Sequence, residues 1–186
     1  MNLKPLFLLF FFGCCATKIV AQVPFMLFDK PSVAMDSSKA WVVLTDRIVE
    51  GSSKAEVKMT DSTALFCGLI SNDNKAGLAQ LISPRFEENL ADYTGLKMHL
   101  RGDSSIFVLA LHPDLLSSAA KHLEYRICAP TTWQTIQIPF STFYSAYFDV
   151  ELLEKAPKLE LIHYLSIINA YQEGRFCIEI DRISLY

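Results

Sequence analysis

The stretch Lys54-Ala55-Glu56-Val57-Lys58-Met59, continued by Thr60-Asp61-Ser62-Thr63 and Ala64-Leu65-Phe66-Cys67-Gly68-Leu69-Ile70, decides the fold class. Ala55, Val57 and Met59 alternate with Lys54, Glu56 and Lys58, which places apolar side chains on one face of an extended chain and charges on the other. The four residues that follow bond their own backbone readily and read as a turn. The next seven are almost wholly apolar, as in a strand buried more deeply. The same alternation recurs at 96–101 and 135–138. Further runs rich in apolar and β-branched residues lie at 41–44, 78–82, 106–111, 125–128, 165–168 and 176–186. Turn clusters separate them at Ser71-Asn72-Asp73-Asn74, Gly102-Asp103-Ser104-Ser105 and Gln172-Glu173-Gly174. About ten short strands at this spacing predict an all-β, antiparallel two-sheet sandwich. One stretch reads helical, a short turn over 150–156 capped by Asp149 and stopped by Pro157. Trp41, Trp133, Phe140 and Phe143 are expected in the core. So is the Phe176, Ile178 and Ile180 face of the closing strand, with Glu179 and Asp181 pointing into solvent.

Composition narrows the function classes. The chain has 186 residues, 51% hydrophobic and 20% charged, with a formal net charge of -3 and no basic cluster. It can bury a core, and it lacks the electrostatic footprint of a nucleic-acid binder. No C-x-x-C, H-E-x-x-H, G-x-S-x-G or glycine-rich phosphate loop occurs. No cofactor or structural metal is expected, and no enzymatic activity. The four histidines, His99, His112, His122 and His163, stand in unrelated contexts and read as surface or strand residues.

Residues 6–16 form an apolar run preceded by Lys4 and followed by Thr17-Lys18, too short to span a bilayer and suited to the core of a secretory signal. Cleavage after Ala21 is expected, dividing the chain into a signal peptide at 1–21 and one domain at 22–186 with a formal charge of -5. Lipidation at Cys14 or Cys15 is the competing reading. A mitochondrial presequence is disfavoured because the segment contains no arginine. An exported location, with no transmembrane segment after cleavage, follows. Loss of Cys14 and Cys15 leaves Cys67, Cys128 and Cys177, an odd number that allows one disulfide at most; all three read as small packed residues.

Several motifs, in a fixed order, resemble one family over nearly the whole of 22–186. Trp41 precedes Asp46-Arg47-Ile48-Val49-Glu50-Gly51-Ser52-Ser53, similar to a D-x-V-M-G-G-x-S loop. Phe66-Cys67-Gly68-Leu69-Ile70-Ser71-Asn72-Asp73-Asn74-Lys75-Ala76-Gly77-Leu78 is similar to F-x-G-x-[LI]-S-x-x-N-x-G-G-F. Gly95-Leu96 and the Arg101-Gly102-Asp103 turn before Phe107 come next, followed by Trp133-Gln134-Thr135-Ile136-Gln137-Ile138-Pro139-Phe140 with Phe143. Gln172-Glu173-Gly174-Arg175-Phe176 and Glu179-Ile180-Asp181-Arg182-Ile183 close the pattern. The chain thereby resembles the complex I intermediate-associated protein 30 family. Glu50 and Ala76 stand where that family has glycine, and Leu78 where it has phenylalanine. The resemblance implies a galactose-binding-like jelly roll and, for mitochondrial members, a chaperone-like part in assembling respiratory complex I.

A non-catalytic domain that binds a protein partner or assists an assembly step is therefore expected, its identity open. Recognition is placed on the polar loops, at Asp46, Ser53, Asn74, Gly77, Arg101 and Asp103. Capping of turns is the competing role for Asp46, Asp73, Asn74 and Asp103. The alternative function is a carbohydrate-binding module of the same fold, using Tyr144 and Tyr147 beside Phe148, since aromatic rings stack on sugar faces. Calcium near Asp73 and Asn74 is a further option without a recognisable ligand register.

Overall fold

The computed structural model describes residues 23–27, 40–60, 62–73, 77–113, 121–147, 150–151, 157–170 and 172–186. The expected signal segment, Cys14, Cys15, Asn74, Ala76 and Phe148 lie outside them, as does the side chain of Tyr147.

The deciding stretch folds as a hairpin. Strand β3 (Lys54–Met59) pairs antiparallel with β4 (Ala64–Ile70) from Lys54↔Leu69 to Met59↔Ala64. The turn closes through Thr60, whose amide donates to Thr63 O at 2.8 Å and whose hydroxyl oxygen accepts from Thr63 N at 2.9 Å. Eleven other strands surround the hairpin: β1 (Val23–Leu27), β2 (Val42–Thr45), β5 (Leu78–Ile82), β6 (Gly95–Gly102), β7 (Ile106–His112), β8 (His122–Cys128), β9 (Gln134–Pro139), β10 (Tyr144–Tyr147), β11 (Val150–Glu151), β12 (Tyr164–Ala170) and β13 (Gly174–Leu185).

Among the described residues they form two antiparallel sheets. One has the order β3-β4-β13-β6-β9, with β1 also on β13; the other runs β11-β10-β8-β7-β12-β5-β2. Neighbours in each sheet are mostly distant in sequence, so the chain passes repeatedly from one sheet to the other, as a jelly roll requires. The inner faces meet over Phe66, Phe107 and Phe176, whose rings pack edge to face, with centroids 5.1 Å (Phe66–Phe176) and 5.9 Å (Phe107–Phe176) apart.

The closing strand holds the first sheet together. Its residues Gly174 to Ile180 pair with β4, and Val23 to Leu27 of β1 pair with Leu185 to Arg182. A bulge between Ile180 and Arg182 resets the alternation. Phe176, Ile178 and Ile180 face inward before it, and Ile183 and Leu185 after it.

Four expectations are corrected. Val150 and Glu151, read as the start of a helical turn, pair with Tyr147 and Ala146 as a strand, because an edge was free to take them. Trp133, read as core, is 36% exposed; Phe140 and Phe143 are buried and Trp41 packs against the core as expected. Glu179 and Asp181 are half-buried on the outer face and bonded there, Glu179 to Arg101 and Thr63, Asp181 to His99. Cys67 and Cys177 are not merely packed residues: they lie opposite each other on β4 and β13, Cα to Cα 4.1 Å, and form a disulfide. Cys128 is an exposed free thiol.

Candidate functional site

Register places the motif loops together. Loop 46–53 joins Thr45 to Lys54, and loop 71–77 joins Ile70 to Leu78. Thr45 faces Ala79, Leu78 faces Ala170, Lys54 faces Leu69, and Ile70 faces Gly174. Both loops and the link between β12 and β13 therefore share one end of the sandwich. The 102–105 turn joins them, since Asp103 N donates to Cys177 O at 3.2 Å and Ile106 N to Gln172 Oε1 at 3.3 Å.

Asp46 ties the first two loops. Its side chain is 1% exposed and accepts from Ser53 N at 3.0 Å, Ser53 Oγ at 2.7 Å, Gly77 N at 2.7 Å and Leu78 N at 3.3 Å. Burial pushes its pKa up, but these donors outweigh burial and hold the carboxyl below its ordinary value. Ser53 is buried too, and its hydroxyl oxygen accepts from Ser71 N at 3.1 Å. A Cβ at Gly51 would overlap the Asp46 carboxyl, and Gly77 has φ +94, so both glycines are required by the knot. Glu50, at a former glycine position, still adopts the left-handed backbone, φ 65, that glycine takes freely.

These two recognition candidates thus face inward. Asp46 and Ser53 position the loops, and Gly77 contributes its amide to the same knot. Asp73 stays at the surface, where hydroxyls of Ser52 and Ser71 each donate to its Oδ2 at 2.7 Å and lower its pKa. Asp103 Oδ1 accepts from Ser105 N at 3.0 Å, a turn bond within an exposed residue. Among the described residues no group of three or more His, Cys, Asp or Glu side chains is arranged to hold a metal ion.

What the knot presents is apolar. Ile48 is 70% exposed and Val49 64%, both on the tip that Asp46 anchors. Leu69 and Ile106 are exposed at the same end, whereas the exposed Trp133 stands at the β9 edge, level with Glu179 and the Thr60–Thr63 turn. Trp133 stacks on His99 with centroids 4.9 Å apart, and the Arg101 guanidinium lies 4.9 Å over its ring while pairing with Glu179 at 2.6 Å. Exposed Trp beside Arg is the chemistry of an interface anchor. The sequence held this signal in the run Arg47-Ile48-Val49, which strand and turn patterns left unassigned.

A second cluster occupies the outer face of the other sheet, toward its opposite end. Tyr144 OH donates to Glu124 Oε2 at 3.0 Å, and His122 Nε2 lies 2.7 Å from Glu124 Oε1. The His112 ring lies tilted against His122 with centroids 4.8 Å apart, and among the described residues its buried Nε2 has no hydrogen-bond partner. Burial pulls His112 down to about 4, with the His122 ring beside it adding to the effect. Burial raises Glu124, but bonds from His122 and Tyr144 prevail and leave it below its ordinary value. Burial, then the Glu124 charge, raise Tyr144. The two histidines stood in unrelated contexts in sequence; pairing of β7 with β8 through Leu111↔Leu123 joins them.

The family model for complex I intermediate-associated protein 30 matches residues 26–180. The chain belongs to this family. Every motif residue from Asp46 to Glu179 falls inside the match, and the Asp46 knot is built by its two glycine-bearing loops. A search of curated proteins returns no match. Among solved structures, the chain is similar to a family 11 carbohydrate-binding module from Clostridium thermocellum in complex with a β-1,3-1,4-mixed-linked tetrasaccharide. That likeness has TM-score 0.58 and 17% identity, covering 78% of this chain and 87% of that one. A second structure of a family 11 module, from a C. thermocellum cellulosomal cellulase, gives TM-score 0.61 at 16% identity over 86% of this chain and 92% of that one. An agarase gives TM-score 0.59 at 8% identity over 88% of this chain and 24% of that one. At these identities the likeness establishes the jelly-roll fold shared with the family.

Proposed function

We propose that this chain is an exported, non-catalytic recognition domain that binds a protein partner in an assembly step, using the motif-loop end of the sandwich. One observation carries the reading: of the seven large exposed apolar residues described, four, Ile48, Val49, Leu69 and Ile106, lie at that end. Burying such a concentration against a partner is favourable, and scattered exposure would not produce it. The apolar run at 6–16 supports export. The family's name supports an assembly role.

The test is retention of a partner captured from the envelope or extracellular fraction. Ile48→Asp with Val49→Asp should abolish retention and leave the melting temperature within about 2 °C, because both side chains point into water. Leu161→Asp, at the other end, should retain the partner. Equal retention by all three proteins would defeat the proposal.

The Tyr144 cluster favours a second reading, a carbohydrate ligand on the outer face of the seven-stranded sheet. Its half-buried Tyr144 ring is the group there that can stack on a sugar face, while Glu124, which holds the Tyr144 hydroxyl, and His112 Nε2 are buried. The family 11 module whose structure holds a tetrasaccharide supports this reading through fold alone. Binding on a glycan array that disappears in Tyr144→Ala would favour it over the first.

A further inference from the structure

The six-stranded sheet carries a cleft of about 630 Å³ on its outer face, and the Cys67–Cys177 disulfide forms part of its wall. Outward orientation follows from alternation: Phe66, Phe176 and Ile178, the neighbours of the two cysteines, are buried in the core on the other face. A disulfide that served only as a core staple would be shut away from solutes. This one faces the side from which a thiol can approach.

Opening the bond leaves the architecture in place. β4 and β13 stay paired over seven positions from Ala64↔Ile180 to Ile70↔Gly174, and β6 holds β13 from its other side. The packed aromatic face behind them takes no part in the bond. The wall carries charge of both signs. Lys54 and Arg175 line the cleft with the sulfurs, with Glu56 and Asp103 completing it. Lys54 and Arg175 favour thiolate, the species that leaves and attacks, while Glu56, directly opposite Cys67 across the β3–β4 pair, and Asp103 oppose them.

We propose that Cys67–Cys177 is a thiol–disulfide exchange site that an external dithiol reduces, and an oxidised dithiol re-forms, in the folded protein. A thiolate of the dithiol attacks one cysteine sulfur, forms a mixed disulfide and expels the other cysteine as a thiolate, which takes up a proton. The second thiol of the reagent then attacks the reagent's own sulfur in that mixed disulfide. The reagent leaves as a disulfide and the second cysteine as a thiol. Two electrons and two protons have passed to the protein. Leu69 belongs to both the cleft and the apolar end, but the exchange step needs no protein partner and its test does not rest on the partner-binding reading.

The test uses the full chain carrying Cys14→Ser, Cys15→Ser and Cys128→Ser, so that the thiols outside the pair add no signal. It is incubated at pH 7 for a series of times in reduced dithiothreitol of several concentrations, without denaturant and across a urea series, then quenched by alkylation and weighed, with circular dichroism recorded on the same samples. Oxidised dithiothreitol is then added to follow re-formation of the bond. The expected result is addition of two alkyl groups at unchanged circular dichroism, at a rate proportional to dithiol concentration. Lys54→Glu combined with Arg175→Glu should slow attack by an anionic thiol such as glutathione about tenfold, one pKa unit's worth of charge interaction. Alkylation that is independent of dithiol concentration, rising with urea in step with loss of circular dichroism, would show that only the unfolded chain is reduced and would overturn the proposal.

Discussion

Lowering the pH from 7 to 4.5 should destabilise the domain through His112, whose imidazole is buried against His122 with no partner for Nε2 among the described residues. Its pKa falls from 6.5 in the unfolded chain to about 4 in the folded one. Above 6.5 the ring is neutral in both states and contributes nothing to the pH dependence. Between 6.5 and about 4 the unfolded chain takes up a proton that the folded chain refuses, so stability declines as pH falls. Below both values the full difference has accrued, about 3 kcal/mol, of which about 2 kcal/mol is incurred by pH 4.5. For a domain of this size that corresponds to a drop of roughly 4–8 °C in melting temperature. Urea unfolding followed by fluorescence of Trp41 and Trp133 at the two pH values measures it. His112→Gln supplies the reference, since Glu124, also held below its ordinary value, loses stability in acid in both proteins. The wild type should lose about 2 kcal/mol more than the variant over this interval. Parallel losses would show that His112 is solvated, or that its proton has found an acceptor, and would refute the argument.

Asp46→Ala leaves the amides of Ser53, Gly77 and Leu78 without their acceptor inside the loop knot. It should cost about 3 kcal/mol, read by denaturant unfolding; a cost below about 1 kcal/mol would mean that water replaces the carboxylate. Ile178→Asp places a charge in the fully buried face of β13 and should unfold the domain or lower its stability by about 4 kcal/mol or more. A melting temperature within a few degrees of the parent would contradict that. Trp133→Ala should cost less than about 1 kcal/mol because the ring stands outside the core. Phe107→Ala should cost about 3–5 kcal/mol, and the same chemical melt compares the two.

The strands were legible in the sequence because their signal is local. Alternation at 54–59, the apolar runs at 64–70 and 78–82 and the turn clusters between them depend only on which face of an extended backbone each side chain occupies. Strands β4 and β5 begin and end where those runs do. The family motifs were legible for a related reason, since loops 46–53 and 71–77 need particular small and acidic residues to close the Asp46 knot. The short strands β10 and β11 carried too few residues to show a period. The Pro24 of β1 sits beside a register shift, as proline at a sheet edge tends to.

Sequence by itself determined an all-β sandwich, its turns and its family. Tertiary structure decided which strands became neighbours, and every feature of the site depends on that choice. Cys67 and Cys177 stand 110 residues apart and meet only because β4 lies beside β13. The His112 and His122 rings meet only because β7 pairs with β8 in that register. Trp133 has the composition of a core residue, yet β9 begins at the rim of its sheet, where Arg101 and His99 of β6 offer the ring an outer surface to lie on. Asp46 has the composition of a surface turn residue, yet two loops supply it with enough donors to make burial favourable. Periodicity assigns a side chain to a face of its own strand; whether that face meets water, another sheet or a partner depends on elements far along the chain.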